Sequence, residues 1–383
     1  MKRIALHMLM GETGKYLGIV AGVMFASLLI IQQLSTLVGI LTQTYSGISA
    51  VHADIWVMDA KVKSIDDSKP MTDGQLGRVR SVEGVAWAVP LYKGSISARL
   101  ENGDTVVATL YGLDDTTFIG GPAQMVQGNL ADLRNSDSVI VDEMSAMDRL
   151  AHVAADGSRV PLKLGDTLEL NDHRVRVVGL CKVGRGFQSL AVVYTTYTRA
   201  LSIAPTQRKN LSYILAAAQA GKAPEEVAGK IGRVTGLGAY SSEQFVQKTL
   251  HYFLTETSIV INFGLSVIVA FLIGTLIAGQ TFYNFTMDNL RHFAALKAMG
   301  ANDGMILSMI LLQAGLVGML GYGLGTGLAC LAGLAGQDSV ITFSLPWYVL
   351  LGAGLAVVGI SGISALLSLR KVMKLEPGVV FRG

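Results

Sequence analysis

The chain has 383 residues, of which 51% are hydrophobic and only 15% are charged. Soluble domains carry about 25% charged residues, so this composition excludes an ordinary soluble protein and indicates long membrane-crossing segments. The net charge of +3 is too small to predict nucleic-acid binding. Only two cysteines are present, which excludes a disulfide framework.

Four apolar runs predict transmembrane helices over 16–44, 256–283, 305–335 and 347–369. A span needs about 20 apolar residues, and residues 17–44 contain no charge. This run is longer than the roughly 7–15 residues of a signal-peptide core, so we expect it to be retained as a helix.

The polar region 45–255 predicts a large α+β domain inserted between the first two helices. Asn102-Gly103 and Asn171-Asp172 each separate two strand-like runs and predict hairpins. A helix is expected to begin after Ser241, whose spacing to Gln244 fits a capping box. No Gly or Pro follows it before the second span, so we expect one continuous rod. The predicted fold class is therefore four transmembrane α-helices with this α+β domain between helices 1 and 2.

Basic residues flank the spans on one side only, and such residues favour the cytoplasm. They predict that the N-terminal segment 1–15, the loop 284–304 and the tail 370–383 are cytoplasmic. The short loop 336–346 lacks basic residues and is expected in the periplasm, together with 45–255. The predicted location is thus the bacterial inner membrane, with both termini inside.

The apolar runs at 17–44, 258–282, 305–335 and 347–369 contain no Lys, Arg, Asp, Glu or His. Ionisable residues inside spans mark ion and proton pathways, so an ion-driven transporter is not expected. The polar region shows no motif of catalytic or metal-ligating residues, so we expect no catalytic residues, no metal and no enzymatic activity. Energy for any work must then come from another subunit.

In the loop 284–304, apolar residues recur at helical spacing, and the predicted helix ends at Gly300, since glycine is common just after a helix. The pattern fits a helix lying on lipid headgroups or a docking helix for a cytoplasmic motor, and periodicity does not choose between them. In the third span, small residues predict close helix packing. The glycines concerned are Gly321, Gly323, Gly325 and Gly327.

The order of spans and the loop sequence Arg291-His-Phe-Ala-Ala-Leu-Lys-Ala-Met-Gly-Ala301 resemble the FtsX/MacB-type ABC transporter permeases, also called type VII. Ala53-Asp-Ile-Trp-Val57 resembles the DevC-like branch of that family. The tail Glu376 to Arg382 resembles the end of its members. The resemblance assigns coupling to an ATPase to six residues of the loop: Arg291, Phe293, Leu296, Lys297, Met299 and Gly300.

This resemblance implies a homodimer in the lipid bilayer, acting with a separate ABC ATPase that binds ATP and Mg²⁺, while this chain binds no cofactor. It also implies mechanotransmission to the periplasmic domain, a membrane-fusion adaptor and an outer-membrane channel. The expected cargo is a lipid, glycolipid, peptide or other hydrophobic compound. An alternative is an FtsX-like scaffold that activates a periplasmic cell-wall hydrolase. A membrane-bound sensor is disfavoured, since only a short tail follows the fourth span.

Overall fold

The computed structural model describes residue 8 and residues 13–100, 102–153, 158–184, 186–205, 210–336 and 343–373. It divides into two compact units. The helical unit comprises Met1–Ile40 and Ser258–Gly383, and the β-rich unit comprises Leu41–Thr257. Three predicted segments lie partly outside the described residues: the N-terminal segment 1–15, the loop 336–346 and the tail 370–383.

Four helices are long and apolar enough to cross a membrane, as predicted. A short helix, α8, lies between the second and the third of them in the chain. The helices are α1 Thr13–Ser49, α7 Ile259–Asp288, α8 Leu290–Ala298, α9 Asp303–Ala335 and α10 Trp347–Met373. Helix α7 extends past the predicted end of its span, so the first residues of the predicted loop 284–304 are helical.

The helical unit is held together by a buried apolar cluster contributed by all five helices. Backbones approach closely where α9 meets α1. A Cβ on Gly321 would lie 2.8 Å from Val23, and one on Gly325 would lie 2.7 Å from the Met24 carbonyl oxygen. Small residues permit this approach, which compensates in lipid for the missing hydrophobic force between helices.

The predicted packing role of Gly323 and Gly327 needs correction within one chain. No atom of the described residues lies within 4 Å of the position that a Cβ on either glycine would take. Residues four apart share a helix face, whereas residues two apart do not. Gly321 and Gly325 therefore face α1, whereas Gly323 and Gly327 point away from it.

The β-rich unit alternates strands with short helices, in agreement with the predicted α+β class. Its strands are β1 Ile55–Met58, β2 Val85–Arg99, β3 Thr105–Leu113, β4 Gln124–Gln127, β5 Ser138–Asp142, β6 His152–Val153, β7 Arg159–Val160, β8 Thr167–Leu170, β9 His173–Lys182, β10 Ala191–Thr196, β11 Tyr213–Ala218 and β12 Gly238–Ser241. Its helices are α2 Gly74–Arg80, α3 Glu143–Met147, α4 Tyr197–Ile203, α5 Pro224–Thr235 and α6 Ser242–Thr255, with a 3-10 helix at Leu130–Arg134.

Ten strands form one mixed sheet, in the order β12-β1-β11-β2-β3-β10-β5-β9-β4 with β8 pairing both β2 and β9. Because β8 bridges β9 to the end of β2, the pairs β2-β3-β10-β5-β9-β8 close into a ring of six strands. Side chains that alternate along these strands fill its interior, including Leu110, Val141 and Val177. A closed ring has no free strand edge.

Strands β11, β1 and β12 extend the sheet from β2, and β1 is covered on both faces. Strand β4 pairs with β9, and β6 and β7 form a separate two-stranded sheet. Ile55 and Val57 of β1 pack with Val227 and Ile231 of α5 on one face. Trp56, between them in sequence, faces the opposite side and packs with Phe245 of α6 at a ring separation of 5.6 Å. The strand period of two explains why neighbouring β1 residues enter different cores.

Both predicted hairpins are confirmed. Strands β2 and β3 pair in antiparallel fashion across the Asn102-Gly103 turn, where Gly103 has φ +87°. Strands β8 and β9 pair across Asn171-Asp172, whose φ angles of +45° and +65° match a type I′ turn.

The predicted continuous rod between Ser241 and the second span is wrong. The capping box forms, with the Ser241 side chain accepting from the Gln244 amide, and α6 then ends at Thr255. The next helix starts at Ile259. The Thr257 hydroxyl donates to the Phe253 carbonyl at 2.6 Å, and such local bonds compete with helical ones.

Candidate functional site

The predicted coupling loop is a short helix, α8, fixed between two asparagines. Asn289 is 4% exposed, and its Nδ2 donates to the Phe285 carbonyl at 3.0 Å where α7 ends. Asn302 caps α9, its side chain accepting from the Met305 amide at 2.8 Å. Caps of this kind satisfy backbone groups that a helix end leaves unpaired. The two caps therefore set where α8 can begin and end.

Two of the six predicted coupling residues face inward. Phe293 is fully buried and belongs to the same cluster as Phe285 and Ile306. Leu296 is 8% exposed and packs with Met309 of α9. These side chains anchor α8 to the helical unit and are not placed to touch a partner.

Lys297 lies at the border of the buried face. Its side chain is 13% exposed, and Nζ lies 2.9 Å from Asp303 Oδ1 at the start of α9. A negative charge in the first turn of a helix is favourable, and here it also pairs with a lysine. The pair ties the end of α8 to the start of α9 across the turn at Gly300.

Three predicted residues are exposed. Arg291 lies at the start of α8, and Met299 follows its end with 75% of its surface accessible. Gly300 has φ +96°, a conformation that residues with a Cβ rarely adopt. Arg and Met are both enriched at protein–protein interfaces, so these two exposed side chains are suited to contact a protein partner.

The sequence interpretation missed four residues of this site: Asn289, Asn302, Asp303 and Asp288. Asp288, at the end of α7, forms an ion pair with Lys15 of α1. The two asparagines were detectable, since each precedes a helical run as a capping residue does. The ion pairs of Asp288 and Asp303 were not detectable, because nothing in the local sequence indicates which lysine each carboxylate meets.

Within the described ranges, no group of three or more His, Cys, Asp or Glu side chains could hold a metal ion. In the described residues, α8 is a short helix anchored by the buried side chains of Phe293 and Leu296, with Arg291 and Met299 exposed.

Comparison with protein-family models gives two matches that together cover most of the chain. Residues 16–234 match the MacB-like periplasmic core domain, and residues 264–377 match the FtsX-like permease C-terminal domain. The second match includes the whole of α8. Among curated proteins, an uncharacterized ABC transporter permease of Mycobacterium tuberculosis, present in strains CDC 1551 and H37Rv, is 24% identical over 319 residues. That alignment covers 82% of this chain and 80% of the relative.

Two of the solved structures similar to this chain are extracytoplasmic domains of transport proteins. The periplasmic region of MacB from Actinobacillus actinomycetemcomitans is 18% identical with a TM-score of 0.37, over 52% of this chain and 94% of that one. The extracellular domain of YknZ, a noncanonic ABC-type transporter from Gram-positive bacteria, is 15% identical with a TM-score of 0.34, over 49% and 98%. Family membership is therefore decided by the family models and not by these structures.

Proposed function

This chain belongs to the family of ABC transporter permeases with an FtsX-like C-terminal domain and a MacB-like periplasmic core domain, and we propose that it is the mechanical subunit of an exporter. Permeases of this family work with an ATPase. In our proposal the ATPase is a separate chain that carries ATP and Mg²⁺ and docks on α8, and this chain itself binds no cofactor.

The single observation that carries this proposal is the construction of α8. Phe293 and Leu296 are buried and anchor α8, while Arg291 at its start and Met299 next to the turn at Gly300 remain exposed. A push on the exposed face would pass directly to α7 and α9, because buried side chains and the Lys297–Asp303 pair link them.

The spans support the same proposal. Their apolar runs contain no Lys, Arg, Asp, Glu or His, the residues that membrane proteins use to guide ions. The work would instead consist of helix movement, in which cargo need not cross the bilayer through this chain. We further propose a homodimer in the bacterial inner membrane, with both termini cytoplasmic and Leu41–Thr257 largely in the periplasm. An adaptor and an outer-membrane channel would complete the path for a lipid, glycolipid, peptide or other hydrophobic compound.

The docking proposal is tested by substituting only exposed residues. In the double variant Arg291→Glu, Met299→Asp, a charge is reversed and a carboxylate replaces an apolar contact. We expect co-purification of the ATPase with the full-length chain to fall at least tenfold. The measurement is the ratio of ATPase to permease after affinity purification in detergent.

The matched control applies the same two changes on the β-rich unit, at Arg233 and Met147, both exposed. Arg233→Glu, Met147→Asp should retain the ATPase in full. Retention of the ATPase by the α8 variant at the control level would contradict the proposal. Loss in both variants would show that the effect is not specific to α8 and would contradict it equally.

A further inference from the structure

Helix α1 ends inside the core of the β-rich unit. It is continuous from Thr13 to Ser49, and its residues from Leu41 onward belong to that unit. Ile48 is fully buried in the same cluster as Trp56, Tyr213 and Phe245. The last turns of this helix are therefore part of the packed interior and not a flexible connection to it.

One contact of these turns is unusually close. A Cβ on Gly47 would lie 3.1 Å from Ile65 Cδ1 and 3.4 Å from the Tyr111 hydroxyl. The preceding residue, Ser46, lies against Gly184, where a Cβ on the glycine would be 3.3 Å from the Ser46 Cβ. Close packing transmits displacement, because tightly packed interiors have low compressibility.

The residue that Gly47 touches is itself held by two strands of the sheet. The Ile65 carbonyl accepts from Lys93 Nζ of β2 at 2.9 Å and from the Tyr213 hydroxyl of β11 at 2.8 Å. Lys93 also forms an ion pair with Asp66. Strands β2 and β11 are neighbours in the sheet. Ile65 thus lies between the helix on one side and the sheet on the other.

Lys93 is a costly residue to place here. Its side chain is 9% exposed, and an ammonium taken out of water costs several kcal/mol unless it is paired. Burial lowers its pKa, but attraction to Tyr111 and Asp66 outweighs burial, and the pKa lies above its ordinary value. The lysine therefore stays charged at neutral pH, and it binds both the Ile65 carbonyl and the Asp66 carboxylate.

The other connection to the β-rich unit lacks this continuity. Helix α6 stops at Thr255 and α7 starts at Ile259. Glu256, in the interruption, pairs with Lys63, and both side chains are about half exposed. Exposed ion pairs contribute little, typically 0–1 kcal/mol. The two connections of the chain to the β-rich unit thus differ. Helix α1 is continuous and its end is buried, whereas α6 and α7 are separated by an interruption.

We propose that Gly47, Ile65, Asp66, Lys93 and Tyr213 form a rigid joint that fixes α1 to the central sheet, with Lys93 as the positioning residue. The joint is the point at which movement of α1 becomes movement of the sheet. That it passes on an ATP-driven movement rests on the proposed function, whereas its rigidity does not.

The test measures the distance between the end of α1 and the sheet. Spin labels are placed at Ser49→Cys and Val107→Cys, both exposed, in the full chain with its ATPase after Cys181→Ala and Cys330→Ala. Labelled copies are diluted with unlabelled ones. We expect a narrow distance distribution that nucleotide does not change. Lys93→Met should at least double its width, because Ile65 loses one of its two donors and Asp66 loses its partner.

The matched control is Lys69→Met, which removes a lysine paired with Asp67 on the same loop but exposed. It should leave the distribution narrow, and Lys93→Arg should restore it. A narrow distribution in Lys93→Met would overturn the joint. If Lys69→Met broadened the distribution as well, the joint would also be overturned, because any lysine pair on this loop would then have the same effect.

Two further measurements keep the outcome readable. If thermal unfolding shows that Lys93→Met does not fold, Gly47→Leu is used in its place. Its side chain must displace Ile65 or the end of α1 and should therefore shift the distance distribution. An unshifted distribution would overturn the joint. In a second arm, singly labelled Val107→Cys copies report whether ATP changes the distance between two copies. No ATP effect there, with the broadening present in the first arm, would contradict the proposed function and leave the joint supported.

Discussion

Two glycines of α9 are important because they have no side chain at the contact with α1. Gly321 and Gly325 lack a side chain where α9 meets α1, and the space is taken by Val23, Met24 and Ser27. In water a glycine inside a helix costs up to about 1 kcal/mol relative to alanine. In lipid the loss is offset by the van der Waals contacts that the close approach allows.

Gly325→Leu should destabilise the helical unit by about 1–3 kcal/mol, the usual cost of overpacking. The new side chain would meet the Met24 carbonyl oxygen, now 2.7 Å from the Cβ position, and backbone cannot move aside cheaply. The measurement is thermal unfolding of the full chain in detergent micelles.

Gly327→Leu is the control, since it makes the same change in helix propensity on a face with no described neighbour within 4 Å. It should leave the unfolding temperature unchanged or raise it slightly. Equal loss of stability in both variants would mean that the glycines act through the helix backbone and not through packing against α1.

At the scale of elements, helix ends decide how the pieces connect. The capping box at Ser241 and Gln244 starts α6 immediately after β12, so strand and helix share one boundary. Local side-chain bonds near Thr255 and Thr257 accompany the end of the same helix. The start of α6 is therefore determined by a side-chain cap, whereas the threonine bonds at its end only accompany the interruption of the helix.

Ser241→Ala should lower the stability of the β-rich unit by about 1 kcal/mol, because the Gln244 amide loses its acceptor. Cys181 provides the readout in a Cys330→Ala background. It is fully buried, and burial raises the pKa of its thiol, so alkylation at pH 8 requires opening of the unit.

About 1 kcal/mol corresponds to roughly fivefold faster alkylation when opening and reclosing are fast relative to alkylation, because the rate then follows the population of the open state. Ser241→Asp keeps a capping oxygen and should alkylate at the rate of the unmodified chain. If Ser241→Asp and Ser241→Ala react equally fast, the cap does not contribute to stability as described.

The sequence predicts those elements whose causes are local. The uncharged runs predict all four long helices, Asn102-Gly103 and Asn171-Asp172 predict their hairpins, and Ser241 predicts the start of α6. Closure of the six-strand ring was not predictable, since it depends on Ala98 meeting Leu170 across distant sequence. The end of α6 was also missed, in part because Glu256 pairs with Lys63, which is distant in sequence.

In the candidate coupling site, too, some features follow from the sequence and others depend on neighbouring helices. The period of α8 and its stop at Gly300 follow from the sequence. Which face of α8 is buried does not follow, because both Phe293 and Met299 are apolar and only the neighbouring helices distinguish them. Phe293 meets Ile306 and is hidden, whereas Met299 is 75% exposed.

For the whole molecule, the arrangement of basic residues predicts that α8 and the β-rich unit are on opposite sides of the bilayer. Single cysteines at Met299→Cys and Val234→Cys, both exposed, test this after Cys181→Ala and Cys330→Ala. In spheroplasts a membrane-impermeant maleimide should label residue 234 at once and residue 299 only after the membrane is permeabilised. The reverse order of labelling would refute the predicted orientation and with it the docking of an ATPase on α8.

The closed ring of strands has a practical consequence for work on the intact protein. The tip of the β2–β3 hairpin is held by pairing on both sides of Asn102-Gly103, and Gly103 has no described neighbour within 4 Å of its Cβ position. Exposed loop tips of this kind tolerate inserted sequence. An affinity peptide grafted there would serve as a handle for purifying the complex while both chain ends stay native.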